Sequence, residues 1–200
     1  QMIYAAKILK KTAWESLSIP KNRSKQYNED KFSKERTTKN FIDEELKRIN
    51  DQIRYVHTNL IAKDWRKLAD FYIAVFGCKP IYPERDLSGE WVDKVTNIPN
   101  VRIQGIHLVL PGYEDGPTLE IFEYQPANHR VQSNQINNQG FGHIAFHVDS
   151  VEDVLNRLIE HGGKPLGEIV TREYEGIGKL TVVYAADPEG NFIEIQKWTT

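Results

Sequence analysis

Between Arg54 and Thr200 the apolar positions change period in the same order twice. The first unit opens on "RYVHTNLIA", which alternates as a strand does. It continues into "KDWRKLADFYIAVFG", where Trp65, Leu68, Phe71, Tyr72 and Val75 fall on one face of a 3.6-residue helix that Gly77 closes. The second opens on "FGHIAFHV" and continues into "DSVEDVLNRLIEHGG", in which Ser150 and Asp153 are spaced as a capping box and Gly162 is the stop. His57 to Gly77 spans 20 positions, and His143 to Gly163 spans 20 as well. Both units end in matching strands. "TLEIFEY" carries Glu120 with Tyr124 four positions on, and "NFIEIQKW" carries Glu194 with Trp198 four positions on. The chain therefore contains an internal repeat of strand, helix and several strands, an α+β organisation.

The units differ in length. His57 to Glu120 is 63 residues and His143 to Glu194 is 51, so the first holds an insertion, "LSGEWVDKVTNIPN", which reads as a short helix plus loop. "LPGYEDGP" and "DPEGN" are turn sequences placed before the two closing strands. Residues 1–53 have another texture, with a polar middle that lacks apolar periodicity. Thr12 and Glu15 suit the start of one short helix, and Phe41 or Ile42, Leu46, Ile49 and Ile53 form the stripe of a second. The expected organisation is a mainly helical or irregular N-terminal extension (1–53), a first module (54–125), a linker (126–140) and a second module (141–200).

Charge alters this picture little. The 200 residues carry a net charge of -2, which recommends neither nucleic acid nor an anionic membrane as partner. No run approaches the ~20 apolar residues of a membrane span. The single cysteine, Cys78, excludes an intrachain disulfide and is compatible with a reducing compartment, so a cytoplasmic location is expected.

The chemistry lies in the repeat. Alternate strand residues share a face, so His57 lies with Tyr55 and Asn59, and His143 lies with Phe141, Ala145 and His147. Glu120 lies with Phe122 and Tyr124, and Glu194 with Gln196 and Trp198. Leu119, Ile121, Ile193 and Ile195 point the other way. The inner face of a curved sheet is then expected to collect two imidazoles and two carboxylates. Burying a carboxylate without a partner costs several kcal/mol, and a divalent cation would hold the charge. Imidazole and carboxylate together suit Zn, Ni, Co, Mn or Fe(II), with one or two positions left open for water or substrate.

These residues resemble the vicinal oxygen chelate superfamily, which includes glyoxalase I, methylmalonyl-CoA epimerase, extradiol dioxygenases, and fosfomycin and bleomycin resistance proteins. The resemblance covers Arg54 to Trp198 and is carried by "GFGHIAFHV" and "DPEGNFIEI", which are closest to glyoxalase I. "LEIFEY" is closer to epimerase-like members. It implies two βαβββ modules forming a cupped mixed sheet, with metal ligands on the first and last strand of each: His57, Glu120, His143 and Glu194. It also implies one divalent metal ion (Ni, Zn, Co or Mn, with Fe possible). A homodimer is expected, and the sequence leaves open whether the modules pair within one chain or between two. The implied activity is that of a lyase or isomerase in which Glu194, Glu120 or both move a proton next to a carbonyl of a small carbonyl compound or thioester. A ring-cleaving Fe(II) dioxygenase-like enzyme and a non-catalytic binding or resistance protein are the alternatives.

Asn59, Phe122, Tyr124 and Trp198 are expected to line the substrate pocket by parity. His147 shares the face of His143 but lies on the order of 13 Å along the strand, too far for the same metal. His107, on a middle strand, reads equally as a pocket residue or as a satisfied core histidine. His129 and His161 read as loop and helix-end residues. Trp91 is either a lid or an anchoring aromatic. No phosphate loop, cysteine cluster or nucleophile elbow competes.

Overall fold

The computed structural model describes residues 42–43, 46–47, 53–128 and 135–200. The chain divides into two units, Gln1–Arg54 and Tyr55–Thr200. In the first, residues 42–43 and 46–47 are helical. The helix start at Thr12 and Glu15, the rest of the 41–53 stripe apart from Ile53, and His129 lie outside the described residues.

The second unit runs β1 (His57–Ile61), α1 (Trp65–Phe76), β2 (Lys79–Ser88), α2 (Glu90–Thr96), β3 (Arg102–Val109) and β4 (Thr118–Gln125). It then continues through β5 (Ile144–His147), α3 (Val151–Glu160), β6 (Lys164–Pro165), β7 (Val170–Tyr174), β8 (Gly178–Ala186) and β9 (Phe192–Thr199). Two separate mixed sheets result. The first has the order β1-β4-β3-β2 and the second β5-β9-β8-β6, with β7 also paired to β8. The opening strand of each module runs parallel to its closing strand, and the remaining pairings are antiparallel. The α+β fold with paired modules expected from the repeat is present.

Local chemistry accounts for the helices. Asp64 caps α1 by accepting from Lys67 N, and Gly77 closes it at φ 70°, a left-handed conformation that glycine adopts without a Cβ clash. Ser150 caps α3 by accepting from Asp153 N. The insertion of the first module is the helix α2 followed by a loop, and the strand facing β8 in the second module is split into β6 and β7.

One core joins the modules. Leu60, Leu108, Leu119 and Ile121 of the first sheet and Phe146, Val183, Ile193 and Ile195 of the second bury with Leu68, Phe71, Tyr72 and Val75 of α1 and Val154, Leu155 and Leu158 of α3. Phe76 stacks on Phe146 with centroids 4.0 Å apart. The "DPEGN" turn ties the second module to α1: Glu189 accepts from Lys63 N at 2.8 Å and Asp64 N at 3.1 Å, and the Tyr72 hydroxyl donates to Asp187 Oδ2 at 3.1 Å.

Asp187 is 3% exposed, and burial pushes its carboxyl above the usual carboxylate range against the donors Asn191, Tyr72 and the Glu189 amide. Tyr72→Phe removes one of those donors and is expected to cost about 1–3 kcal/mol at neutral pH. Asp187 is a raised acid in the folded state, so its ionisation penalty is present above its folded pKa and is relieved as pH falls through it. The Tyr72→Phe deficit in thermal melts should therefore shrink in acid; a deficit that is equal at pH 7 and in acid would refute this role for the pair. Cys78 is buried and its thiol is pushed up to about 12 by burial, which leaves it inert.

Candidate metal and substrate site

Both sheets bury their helix-bearing faces in the shared core, so their other faces are turned away from it. On the first sheet that face presents His57 and Asn59 from β1, His107 from β3, and Glu120, Phe122 and Tyr124 from β4. β4 lies between β1 and β3, and Glu120 stands opposite Asn59 on one side and His107 on the other. Its carboxylate thus receives groups from both neighbours. His57 Nε2 lies 3.3 Å from Oε2, His107 Nε2 lies 3.1 Å from Oε1, and Asn59 Nδ2 donates to Oε2 at 3.1 Å. Glu120 is 8% exposed, and these contacts offset the desolvation of its charge.

The second sheet repeats the arrangement with fewer partners. His143, immediately before β5, brings Nε2 to 3.2 Å from Glu194 Oε2. Tyr184 of β8 stands directly opposite Glu194. Its hydrogen bond to that carboxylate, assisted by burial, raises the phenol above its ordinary range. Ala145 occupies the place that Asn59 holds in the first module. Glu194 therefore has one side-chain donor fewer than Glu120.

His107 is the functional candidate that periodicity leaves undecided. Burial lowers its pKa, and the charges of Arg85 and His57 add to this against the opposing pull of Glu120. Its Nδ1 lies 3.5 Å from Thr118 Oγ1, which leaves Nε2 to serve Glu120. The register sets His107 and Tyr184 at matching cross-strand positions, which periodicity alone does not reveal.

Of the expected pocket residues, Asn59 touches Glu120, and Tyr124 lies close enough for the Glu120 charge to help burial raise its phenol. Phe122 is buried with Val92 of α2, Val101 and Ile103, so the insertion covers one end of the Glu120 face. Gly105, opposite Phe122, makes this possible: a Cβ there would come within 2.4 Å of the Phe122 ring. Trp198 shares the Glu194 face and donates through Nε1 to Gln196. Trp91 is exposed on α2 and His147 is exposed at the end of β5. His161 ends α3, with Nδ1 2.8 Å from the Arg157 carbonyl.

The structure brings His57 to Glu120 and His143 to Glu194. It does not group the four within one chain, a choice between pairing in one chain and pairing between two that the repeat alone leaves open. Among the described residues no group of three or more His, Cys, Asp or Glu side chains is placed to hold a metal ion. The physical reason is that strand pairing closes within each module while the shared core occupies the space between the helix-bearing faces. Each half nevertheless has the chemistry of a cation site. Ligands about 2.1 Å from a metal are separated by roughly 3.0–3.4 Å, and the imidazole–carboxylate separations in the two ligand pairs are 3.3 and 3.2 Å.

Among known structures, a glyoxalase family protein from Bacillus cereus is similar, at 19% identity and a TM-score of 0.59 over 74% of this chain and 94% of that one. A glyoxylase/bleomycin resistance protein/dioxygenase domain from Frankia follows at 17% identity and 0.47, over 74% and 97%. A variant of the fosfomycin resistance protein FosX from Listeria monocytogenes, complexed with Mn(II) and 1S,2S-dihydroxypropylphosphonic acid, matches at 18% and 0.41 over 70% and 87%. A search of curated proteins finds no match. The Bacillus cereus structure shares the fold seen here, and the model of one family matches residues 54–195: the chain belongs to the Glyoxalase/Bleomycin resistance protein/Dioxygenase superfamily.

Proposed function

We propose that the protein is a divalent-metal-dependent lyase or isomerase that moves a proton on the carbon next to a carbonyl, and that its site is shared between two copies of the chain. The observation that carries this reading is the repeated imidazole–carboxylate pair, His57 with Glu120 and His143 with Glu194, on corresponding faces of the two modules. His57 and Glu120 of one copy and His143 and Glu194 of the other would hold the ion. A two-fold axis then makes two equivalent sites per dimer.

Features around the half-sites support a second copy. β1 and β5 are edge strands of their sheets, and an unpaired edge is open to another strand. Tyr55, Val56 and Ile61 beside His57, and Phe141 beside His143, are each more than 60% exposed, an apolar rim of the kind that association covers.

A bound divalent cation would supply Lewis-acid polarisation of the substrate carbonyl. The carboxylates then divide the remaining work. Glu120, held by His107 and Asn59, is the stationary ligand. Glu194, with fewer partners, takes the proton from carbon and returns it. The Tyr184 hydroxyl donates to Glu194, and α2 with Phe122 walls off water at one end of the Glu120 face. An α-hydroxycarbonyl, thiohemiacetal or acyl-thioester presents the required acidic C–H beside a carbonyl.

Elemental analysis of the purified full chain, followed by metal reconstitution, tests the reading. One Ni, Zn, Co or Mn ion per chain is expected. Iron coupled to oxygen uptake would replace this reading with a ring-cleaving dioxygenase-like one, and a chain that takes up no metal would replace it with a binding protein.

A further inference from the structure

We infer that His107 is a positioning residue that aims the Glu120 carboxylate by hydrogen bonding its second oxygen, Oε1, leaving Oε2 for the ion. This deepens the metal-site reading above and rests on it. The geometry divides the carboxylate between its two sides. Oε2 faces His57 at 3.3 Å, the pair that would share the ion, and accepts from Asn59 Nδ2 at 3.1 Å, which leaves it one lone pair, whereas His107 Nε2 lies 3.1 Å from Oε1. A syn–anti swing or a bidentate shift of Glu120 would have to give up that contact. His107 is itself held, edge-on to Phe122 with centroids 5.5 Å apart and with Nδ1 near the Thr118 hydroxyl. Partners of this kind orient ligands and typically change metal affinity 10–100-fold when lost.

The repeat carries the inference a step further. Tyr184 stands to Glu194 as His107 stands to Glu120, directly across the strand pair. The two side chains share no ligand chemistry, since a neutral phenol is a poor ligand for these cations. What they share is a donor reaching the neighbouring carboxylate. His107 thus repeats a supporting device and is not a further ligand.

Co(II) titration of the full chain, read by its visible absorption, tests this. His107→Leu is expected to weaken Co(II) binding about 10–100-fold with band positions unchanged. His107→Gln keeps an N–H aimed at Oε1 and should bind within about threefold of wild type. His107→Phe keeps a ring against Phe122 and replaces the leucine variant if that one fails to fold, as judged by circular dichroism. Undiminished binding in the variants lacking the donor overturns the inference, provided that His57→Ala abolishes binding in parallel. Shifted bands with equal loss in the glutamine variant overturn it differently, by making His107 a ligand. If wild type takes up no Co(II), the metal-site reading falls and this inference falls with it.

Discussion

Mixed and allowed to exchange subunits, His57→Ala and His143→Ala chains should recover metal binding and turnover that neither has alone. If the first module of one copy faces the second module of its partner, a dimer of either variant has a lesion in both sites. A dimer of one chain of each kind has both lesions in one site and none in the other. Random pairing makes half of the dimers mixed, so about a quarter of the wild-type sites return. Recovery depends on His57–Glu120 and His143–Glu194 being separate pairs in one chain, with no third His, Cys, Asp or Glu grouped with either so as to hold a metal among the described residues. Sites completed within a chain by rearrangement of the modules would give no recovery at any ratio. Equilibrium dialysis with Co(II) reads the outcome without a substrate, and a double variant in one chain mixed with itself is the blank.

The second large effect is expected at Glu194. In solvent deuterium, Glu194→Gln should lose about 10²–10⁴-fold of the exchange at carbon, the usual contribution of a positioned general base, even when the ion is supplied in excess to offset the lost ligand. Glu120→Gln should fail first at binding the ion. An amide at position 120 removes the charge that the ion needs, and its N–H, if turned toward Asn59 Nδ2, leaves that donor without an acceptor, so the half-site is both less charged and mispaired. Measuring metal content alongside exchange separates the two failures. Full exchange in both variants would remove proton transfer by these carboxylates from the mechanism, and the reverse pattern would exchange their roles.

Much of this site is legible in the order of residues alone. Period-two alternation puts His57 with Asn59 and Glu120 with Phe122 and Tyr124 on one face each, because the pleat leaves a strand residue no other choice. The helix limits at Gly77 and Ser150 follow from backbone groups that need a left-handed residue or a side-chain acceptor. His107 is not legible in this way. Its parity admits a core role and a site role equally, and only the register of β3 on β4 sets it against Glu120.

The amino-acid sequence by itself determined the repeat, its two units of strand, helix and several strands, and the presence of one imidazole and one carboxylate at matching places in each. Those features depend on local periodicity and on cross-strand neighbours that the repeat duplicates. The tertiary structure alone decided that the two pairs stay apart within a chain, that α2 closes over Phe122, and that His107 and Tyr184 back the two glutamates. Each of these depends on which faces bury together. The shared core that draws α1, α3 and both helix-bearing sheet faces inward is a sum of many weak apolar contacts with no signature at any single position.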